Sequence, residues 1–279
     1  MMTRWSFLVL VLSCLYTSAA EEITAIHWNP HWQCFQTTCE TCTQGAISAL
    51  SQFFSMDELD FVHVVEFETV NLTLPQRWSA VAYGEASCGR DWDTLFYRND
   101  KWTKRQESYG CVYPGRSYVA GVFEKKNDPN AAIAAVVGAH FPQTLSNRSA
   151  YEETIAALRR VLEQLDEKNV ILLADTNTEG PEAAAKTPTH AGFNRTNLQL
   201  MNDLGLWSSQ ESRPPATPLY RGCCLNDGFQ WQGDRIILNF GDAKSIFSRV
   251  LFENASSLPW VQSCPNSEFH KGVLMSVSV

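Results

Sequence analysis

An unbroken apolar run, Val170-Ile-Leu-Leu-Ala174, ends abruptly at Asp175-Thr-Asn177. Its length and composition predict a buried strand. In a strand, Asp175 and Asn177 would share one face, because side chains alternate with a period of two. A buried strand that finishes in a carboxylate and an amide delivers both to one end of a sheet, where sites of α/β folds are found. The same residues would also suit a simple Asp-x-Asn turn after a core strand. Just upstream, Ser149-Ala-Tyr-Glu152 has the spacing of a capping box. Ile155, Leu158, Leu162 and Leu165 then recur at helical intervals. The local unit predicted is helix, short turn, buried strand, polar end.

The rest of the chain repeats this arrangement. Strands are predicted over 23–28, 61–65, 78–83, 94–97, 117–123, 131–139, 236–240 and 271–279. Helices are predicted over 45–54 and 198–206. Most of the strands carry a polar residue at one end: Asn29, Glu66, His140, Asp175, Asp234, His270. Asp91 and Asp93 are expected between strands. Strands in meander-like succession with helices between them argue for a layered sheet core with helices outside.

The first twenty residues do not belong to that pattern. Arg4, an almost wholly apolar stretch from Trp5 to Leu15, and Ser18-Ala-Ala20 have the form of a secretory signal peptide. Residues 21–279 would then be one large domain. No later run reaches the ~18 apolar residues a membrane span needs. Export also suits the cysteines: Cys14 leaves with the signal, and an even eight remain (Cys34, Cys39, Cys42, Cys88, Cys111, Cys223, Cys224, Cys264). Full oxidation is expected, with adjacent Cys223 and Cys224 bonded to two different partners. A zinc site at Cys34, Cys39 and Cys42 lacks a completing Cys/His set. Sequons at Asn71, Asn147, Asn194 and Asn254 fit a glycosylated secreted protein. A net charge of −8 argues against a general polyanion binder.

The pieces Ile26-His-Trp-Asn29, Val64-Val-Glu66, Thr94-Leu-Phe-Tyr-Arg98, Gly138-Ala-His140-Phe-Pro142, Leu173-Ala-Asp175-Thr-Asn177, Gly233-Asp234-Arg-Ile236 and His270 run in one order across the mature chain. In that order they resemble the endonuclease/exonuclease/phosphatase superfamily, the metal-dependent phosphodiesterases that include DNase I, neutral sphingomyelinases and inositol polyphosphate phosphatases. The resemblance implies an α/β sandwich of four layers, with two packed mixed sheets flanked by helices. It also implies hydrolysis of a phosphodiester, either DNA (a DNase I-like endonuclease) or a phospholipid headgroup (a sphingomyelinase-type enzyme), by a monomer. A binding or effector protein that kept the fold and lost turnover is the rival from another class.

By the same resemblance, Glu66 and Asn29 are the expected oxygen ligands for Mg²⁺, with Mn²⁺ or Ca²⁺ as alternatives. His140 and His270 would flank the scissile phosphate, Asp234 serving His270 and Asp91 serving His140, with Asp93 the alternative partner. Asp175 and Asn177 would hold the attacking water, the metal or a phosphate oxygen. His27, His31, His63 and His190 are read as structural or solvated. The chain departs from the pattern at Ser267-Glu-Phe-His270, where Phe269 takes the position of a carboxylate and Glu268 is one residue off. Weak activity, raised by Phe269→Asp, is the expectation. Glu68, in a position that suits a basic residue in a DNA-binding enzyme, weakens the DNA reading. Arg90, Arg98, Lys101, Lys104 and Arg105 form a basic run that is expected to be a solvated hairpin.

Overall fold

In a computed structural model of the chain, the structure describes residues 22–69, 72–84, 86–89, 91–126, 133–143, 148–178, 195–206, 216, 233–240, 244–264 and 269–279. Residues 1–20, Arg90, His190, Cys223, Cys224, Glu268 and the sequons Asn71, Asn147 and Asn194 lie outside them.

The strands are β1 (Glu22–Trp28), β2 (Phe61–Val65), β3 (Trp78–Val81), β4 (Ala86–Cys88), β5 (Asp91–Arg98), β6 (Trp102–Tyr113), β7 (Arg116–Lys125), β8 (Ile133–His140), β9 (Val170–Asp175), β10 (Asp234–Leu238), β11 (Lys244–Val250) and β12 (Val273–Ser278). The helices are α1 (Glu40–Ser55), α2 (Arg148–Leu165), α3 (Asn197–Asp203) and α4 (Pro259–Gln262). One sheet runs β11-β12-β1-β2-β5-β3, with β4 also on β5; the other runs β10-β9-β8-β7-β6. Both are mixed, because β1/β2 and β8/β9 are parallel while the other pairs are antiparallel.

Three apolar layers hold this together. Ile23, Ala25, Phe61, Leu95, Val119, Val136, Leu173 and Ile236 fill the space between the sheets. Ile26, Trp28, Val62, Val64 and Phe96 turn the opposite way, against α1 and the segment around α4. Ala135, Val137, Leu172 and Ala174 meet α2 and α3 on the far side. Strands buried on both faces explain why these runs read as continuously apolar rather than alternating. The expected four layers are present. Trp260 of α4 lies over Gly45 of α1, where any Cβ would overlap its ring.

Several expectations change in detail. Asp91 and Asp93 lie within β5 rather than between strands. Ser149 sits inside α2, so no capping box starts there; Arg148 Nε donates to Glu152 Oε1 at 2.7 Å instead. The described capping box is Thr196–Gln199, at the start of α3. The described residues of the basic run are paired: Arg98 with Asp100, Lys101 with Asp60, Lys104 with Glu107, Arg105 with Glu124.

Cys34–Cys42, Cys39–Cys264 and Cys88–Cys111 are disulfides, consistent with an extracellular protein. They rule out zinc at Cys34, Cys39 and Cys42. Among the described residues no helix is long and apolar enough to cross a membrane.

Candidate active site

The inward-facing side chains change character along each strand. In β1 they read Ile23, Ala25, His27 and then Asn29; in β5, from the other end, Tyr97, Leu95, Asp93, Asp91; in β8, Val136, Gly138, His140. β9 gives Ile171, Leu173, Asp175 and β10 gives Leu238, Ile236, Asp234. Period-two alternation therefore fills one end of the inter-sheet space with apolar groups and the other with polar ones. Register aligns the two sets: Asp234 pairs with Asp175 across β10/β9, and His140 with Asp175 across β8/β9.

His140 and His270 both approach the same oxygen, Asp175 Oδ2, at 3.8 and 3.6 Å. Each has its own carboxylate: His140 Nδ1 is 3.1 Å from Asp91 Oδ1, and His270 Nδ1 is 3.0 Å from Asp234 Oδ2. The predicted partners are both in place, and Asp93 is not the one at His140. Asn29 Nδ2 donates to Asp175 Oδ2 at 3.0 Å, while its Oδ1 accepts the His31 N–H at 2.8 Å. Glu66 follows β2 with φ 56°, a left-handed turn that carries it off the strand's alternation. Its Oε2 accepts the Trp32 N–H at 3.0 Å, and Oε1 lies 3.6 Å from His140 Nε2.

Asn177 differs from expectation. It lies beyond the strand at φ 44°, so strand alternation does not place it beside Asp175. Its backbone N–H donates to Asp175 Oδ1 at 3.0 Å and its Nδ2 to the Phe141 carbonyl at 2.8 Å. The Asp-x-Asn turn and the site are thus the same structure.

Phe269 is buried among the rings of Trp28, Phe252 and Trp260, with centroids 5.9, 5.8 and 5.2 Å away. It belongs to the α1-side core rather than to the polar end of the sheets. His270, by contrast, is held at the site through its backbone: its N–H donates to the Asn29 carbonyl, and its carbonyl accepts Trp28 Nε1–H at 3.1 Å.

Arg116 was not singled out by the sequence. It opens β7 just after the Pro114-Gly115 turn, and its Nη1 lies 2.9 Å from His140 Nε2 and 3.5 Å from Glu66 Oε1. His31, read as structural, lines the same cleft, stacked 6.5 Å from His270 and 3.7 Å from Glu66 Oε2. The cleft, about 940 Å³, is bordered by His31, Trp32, Phe35, Glu66, Glu68, Asp91 and Arg116.

Charge sets the protonation states. Burial alone would lower the pKa of His270, but Asp234, Asp175 and Glu66 outweigh it and push it up to about 9. Burial is likewise overridden at His140, which Asp91 raises despite Arg116. Burial would raise Asp91; His140 and the Ser117 N–H and O–H bring it down to about 2. Asp234 is held still lower by His270 and His27, against its burial. His31 goes the other way, to about 3, through burial and then His270 and His140. At neutral pH His270 is thus an imidazolium 3.6 Å from Asp175 Oδ2, with His140 and Arg116 beside it, an arrangement suited to a phosphoryl group.

No protein-family model and no curated protein matches the sequence. Solved structures do. An endonuclease/exonuclease/phosphatase family protein from Bacteroides thetaiotaomicron superposes with a TM-score of 0.61 at 11% identity, covering 93% of this chain and 98% of that one. The fold is that of the endonuclease/exonuclease/phosphatase superfamily. D. rerio TDP2 complexed with a single-strand DNA product has the same fold at 14% identity and TM-score 0.56, covering 92% of this chain and 99% of its own. So does a B. thetaiotaomicron mannosyl-6-phosphatase, at 11% identity and TM-score 0.59, covering 92% and 100%. Proteins of the endonuclease/exonuclease/phosphatase fold thus handle both nucleic-acid and sugar-phosphate chemistry.

Proposed function

We propose that the chain is a secreted, divalent-cation-dependent phosphodiesterase. The observation that carries this is the convergence of His140 and His270, each backed by a carboxylate, on Asp175 Oδ2. Hydrolysis of a phosphodiester needs three things: a base for the attacking water, donors for the phosphoryl oxygens and a proton for the leaving oxygen. Asp175, fixed by Asn29 and the Asn177 N–H, takes the proton from water. Arg116 and His140 face the phosphoryl oxygens, and His270, raised to about 9 by its carboxylates, returns a proton to the leaving oxygen. The phosphorus–oxygen bond to the leaving group breaks, giving an alcohol and a phosphomonoester.

The donor set fits a hard cation. Glu66, Asp91 and His140 place one ligand atom each within 4.8 Å of one another, as do Asp175, Asp234 and His270. In each group one carboxylate is already bound to its histidine, and with Asp175 acting as the base Glu66 is the carboxylate left to hold Mg²⁺. Asn29 Oδ1, which accepts the His31 N–H, has a second lone pair to offer a cation. A cation held there would withdraw charge from a phosphoryl oxygen.

For substrate, Glu68 on the cleft and the paired basic residues of 98–105 disfavour a long polyanion. They favour a compact phosphodiester such as a phospholipid headgroup over the DNase I-like reading. Secretion rests on residues 1–20 as a leader, three disulfides, and a sequon at exposed Asn254. Turnover of plasmid DNA, sphingomyelin and a simple phosphomonoester is to be measured side by side, with Mg²⁺ and with a chelator. Mg²⁺-dependent hydrolysis that disappears in Glu66→Gln and His140→Ala is expected. Absence of hydrolysis of all three by folded protein would leave the non-catalytic rival as the better reading.

A further inference from the structure

Two histidines of the inter-sheet core, His27 and His63, touch neither the cleft nor any group assigned a chemical step, yet they join the two halves of the site. They are register partners on the parallel strands β1 and β2. Their Nδ1 atoms face each other at 2.8 Å. On one side, His27 Nε2 lies 3.0 Å from Asp234 Oδ1, the carboxylate whose other oxygen holds His270. On the other, His63 Nε2 contacts Asp93 Oδ1. The Ser117 hydroxyl bridges from there, 3.4 Å from Asp93 Oδ2 and 2.7 Å from Asp91 Oδ2. Asp91 Oδ1 holds His140. All of these groups are buried.

We propose that His27 and His63 are positioning residues: with Asp93 they form a buried strut that fixes Asp234 against His270 and ties that pair to Asp91 and His140. The proposal rests on the phosphodiesterase reading only for its kinetic consequence.

Two features argue for a built strut rather than two core histidines in passing contact. The first is space. The His63 ring lies against Gly138 of β8, where a Cβ would overlap it, so the facing sheet is cut away where the ring sits. The second is hydrogen-bond valence. A carboxylate only accepts, so each outer Nε2 must carry a proton. The Nδ1–Nδ1 contact needs a third, whereas two neutral imidazoles carry two. Asp93–His63–His27–Asp234 must therefore hold one proton more than two neutral rings supply. His27 donates at Nε2 to Asp234 and His63 at Nε2 to Asp93, and the two Nδ1 atoms share the remaining proton. Asp234 then accepts from His27 at Oδ1 and from His270 Nδ1–H at Oδ2, which holds the His270 ring in place.

The first test needs no activity. In protein labelled with ¹⁵N at histidine, long-range proton–nitrogen correlations count the N–H groups. Three protonated nitrogens among the four of His27 and His63 are expected, with the shared Nδ1 proton far downfield. Only two, with both Nδ1 atoms bare, would overturn the strut. The second test is kinetic. His63→Leu alone would strand the Asp93 carboxylate, so the variant is His63→Leu with Asp93→Asn. Loss of an outer-shell partner of this kind costs on the order of 10–100-fold. That loss should fall on kcat, with KM changed less than about 3-fold and folding retained by circular dichroism. Unchanged kcat in the folded variant would overturn the positioning role. If wild type hydrolyses nothing, the phosphodiesterase reading fails, and the proton count still decides whether the strut exists.

Discussion

His270 Nδ1 lies 3.0 Å from Asp234 Oδ2, and neither side chain is more than marginally exposed. The pair makes stability depend on pH in a definite direction. The folded pKa of His270 is raised from 6.5 to about 9 by its carboxylates in spite of burial. A raised histidine contributes stability that is fully present below 6.5 and is lost as pH rises through about 9. Each pH unit in that window removes up to about 1.4 kcal/mol. Urea denaturation in the presence of a chelator, from pH 6 to pH 10, should show this decline in wild type and a flatter profile in His270→Asn. Parallel profiles would show that the proton is not taken up at His270.

Arg116 is the cation of the cleft that faces His140. It is partly exposed, so its removal should cost little stability. Its loss should be felt in turnover, because donors aimed at developing phosphoryl charge contribute on the order of 10²–10³-fold in kcat. Arg116→Ala is expected to lower kcat by about that factor, and Arg116→Lys to recover only part, since an ammonium cannot reproduce the guanidinium's planar fork. Steady-state kinetics on whichever substrate the wild type turns over decide it. A variant with normal kcat would place Arg116 outside the chemistry.

The Cys39–Cys264 bond joins the start of α1 to the segment leading to His270, across 225 residues. Cys34–Cys42 spans 8. On the chain-entropy relation the first is worth roughly 5 kcal/mol and the second roughly 2–3 kcal/mol. Guanidinium denaturation of Cys39→Ser/Cys264→Ser and Cys34→Ser/Cys42→Ser should rank them in that order. The reverse order would point to strain or residual unfolded structure as the larger influence.

Much of this site was legible because alternation is simple. Where an apolar run ended in Asp175 or His140, the strand's period placed that residue at a common end, and family order paired His140 with Asp91 and His270 with Asp234, whereas Glu66 reaches the site only through its left-handed turn. Three things were not legible. His27 and His63 sit within apolar runs, so nothing local distinguishes them from satisfied core histidines; only the pairing of β1 with β2 brings them together. β6 and β11 were missed because each is a sheet edge. β6 in particular carries Arg105, Gln106 and Glu107 on exposed positions, the polar and charged pattern that blunts an edge and erases a strand's apolar signature. Asn177 was placed by strand alternation past the point where the strand stops.

Phe269 is the sharpest difference between sequence and structure. Position alone suggested a missing site carboxylate, which Phe269→Asp would restore with a gain in activity or metal affinity. The ring instead packs against Trp28, Phe252 and Trp260 and is fully buried. Nor does it suppress the charge of its neighbour, since His270 is raised by Asp234, Asp175 and Glu66. An aspartate there would lose the packing of a large aromatic side chain, about 3–5 kcal/mol, and bury a carboxylate among aromatic rings. Phe269→Asp is therefore expected to unfold at much lower denaturant than wild type and to show no gain in turnover or Mg²⁺ affinity. Phe269→Leu, which keeps the site apolar, should cost less and leave kcat within about 2-fold, a modest effect beside the roughly 10-fold per 1.4 kcal/mol expected of a lost catalytic contact. Both variants are to be compared by denaturation midpoint, kcat and Mg²⁺ titration. If Phe269→Asp folds stably and binds Mg²⁺ more tightly than wild type, the segment at 269 can turn its side chain into the site, and the aromatic cluster is not what holds His270 in place.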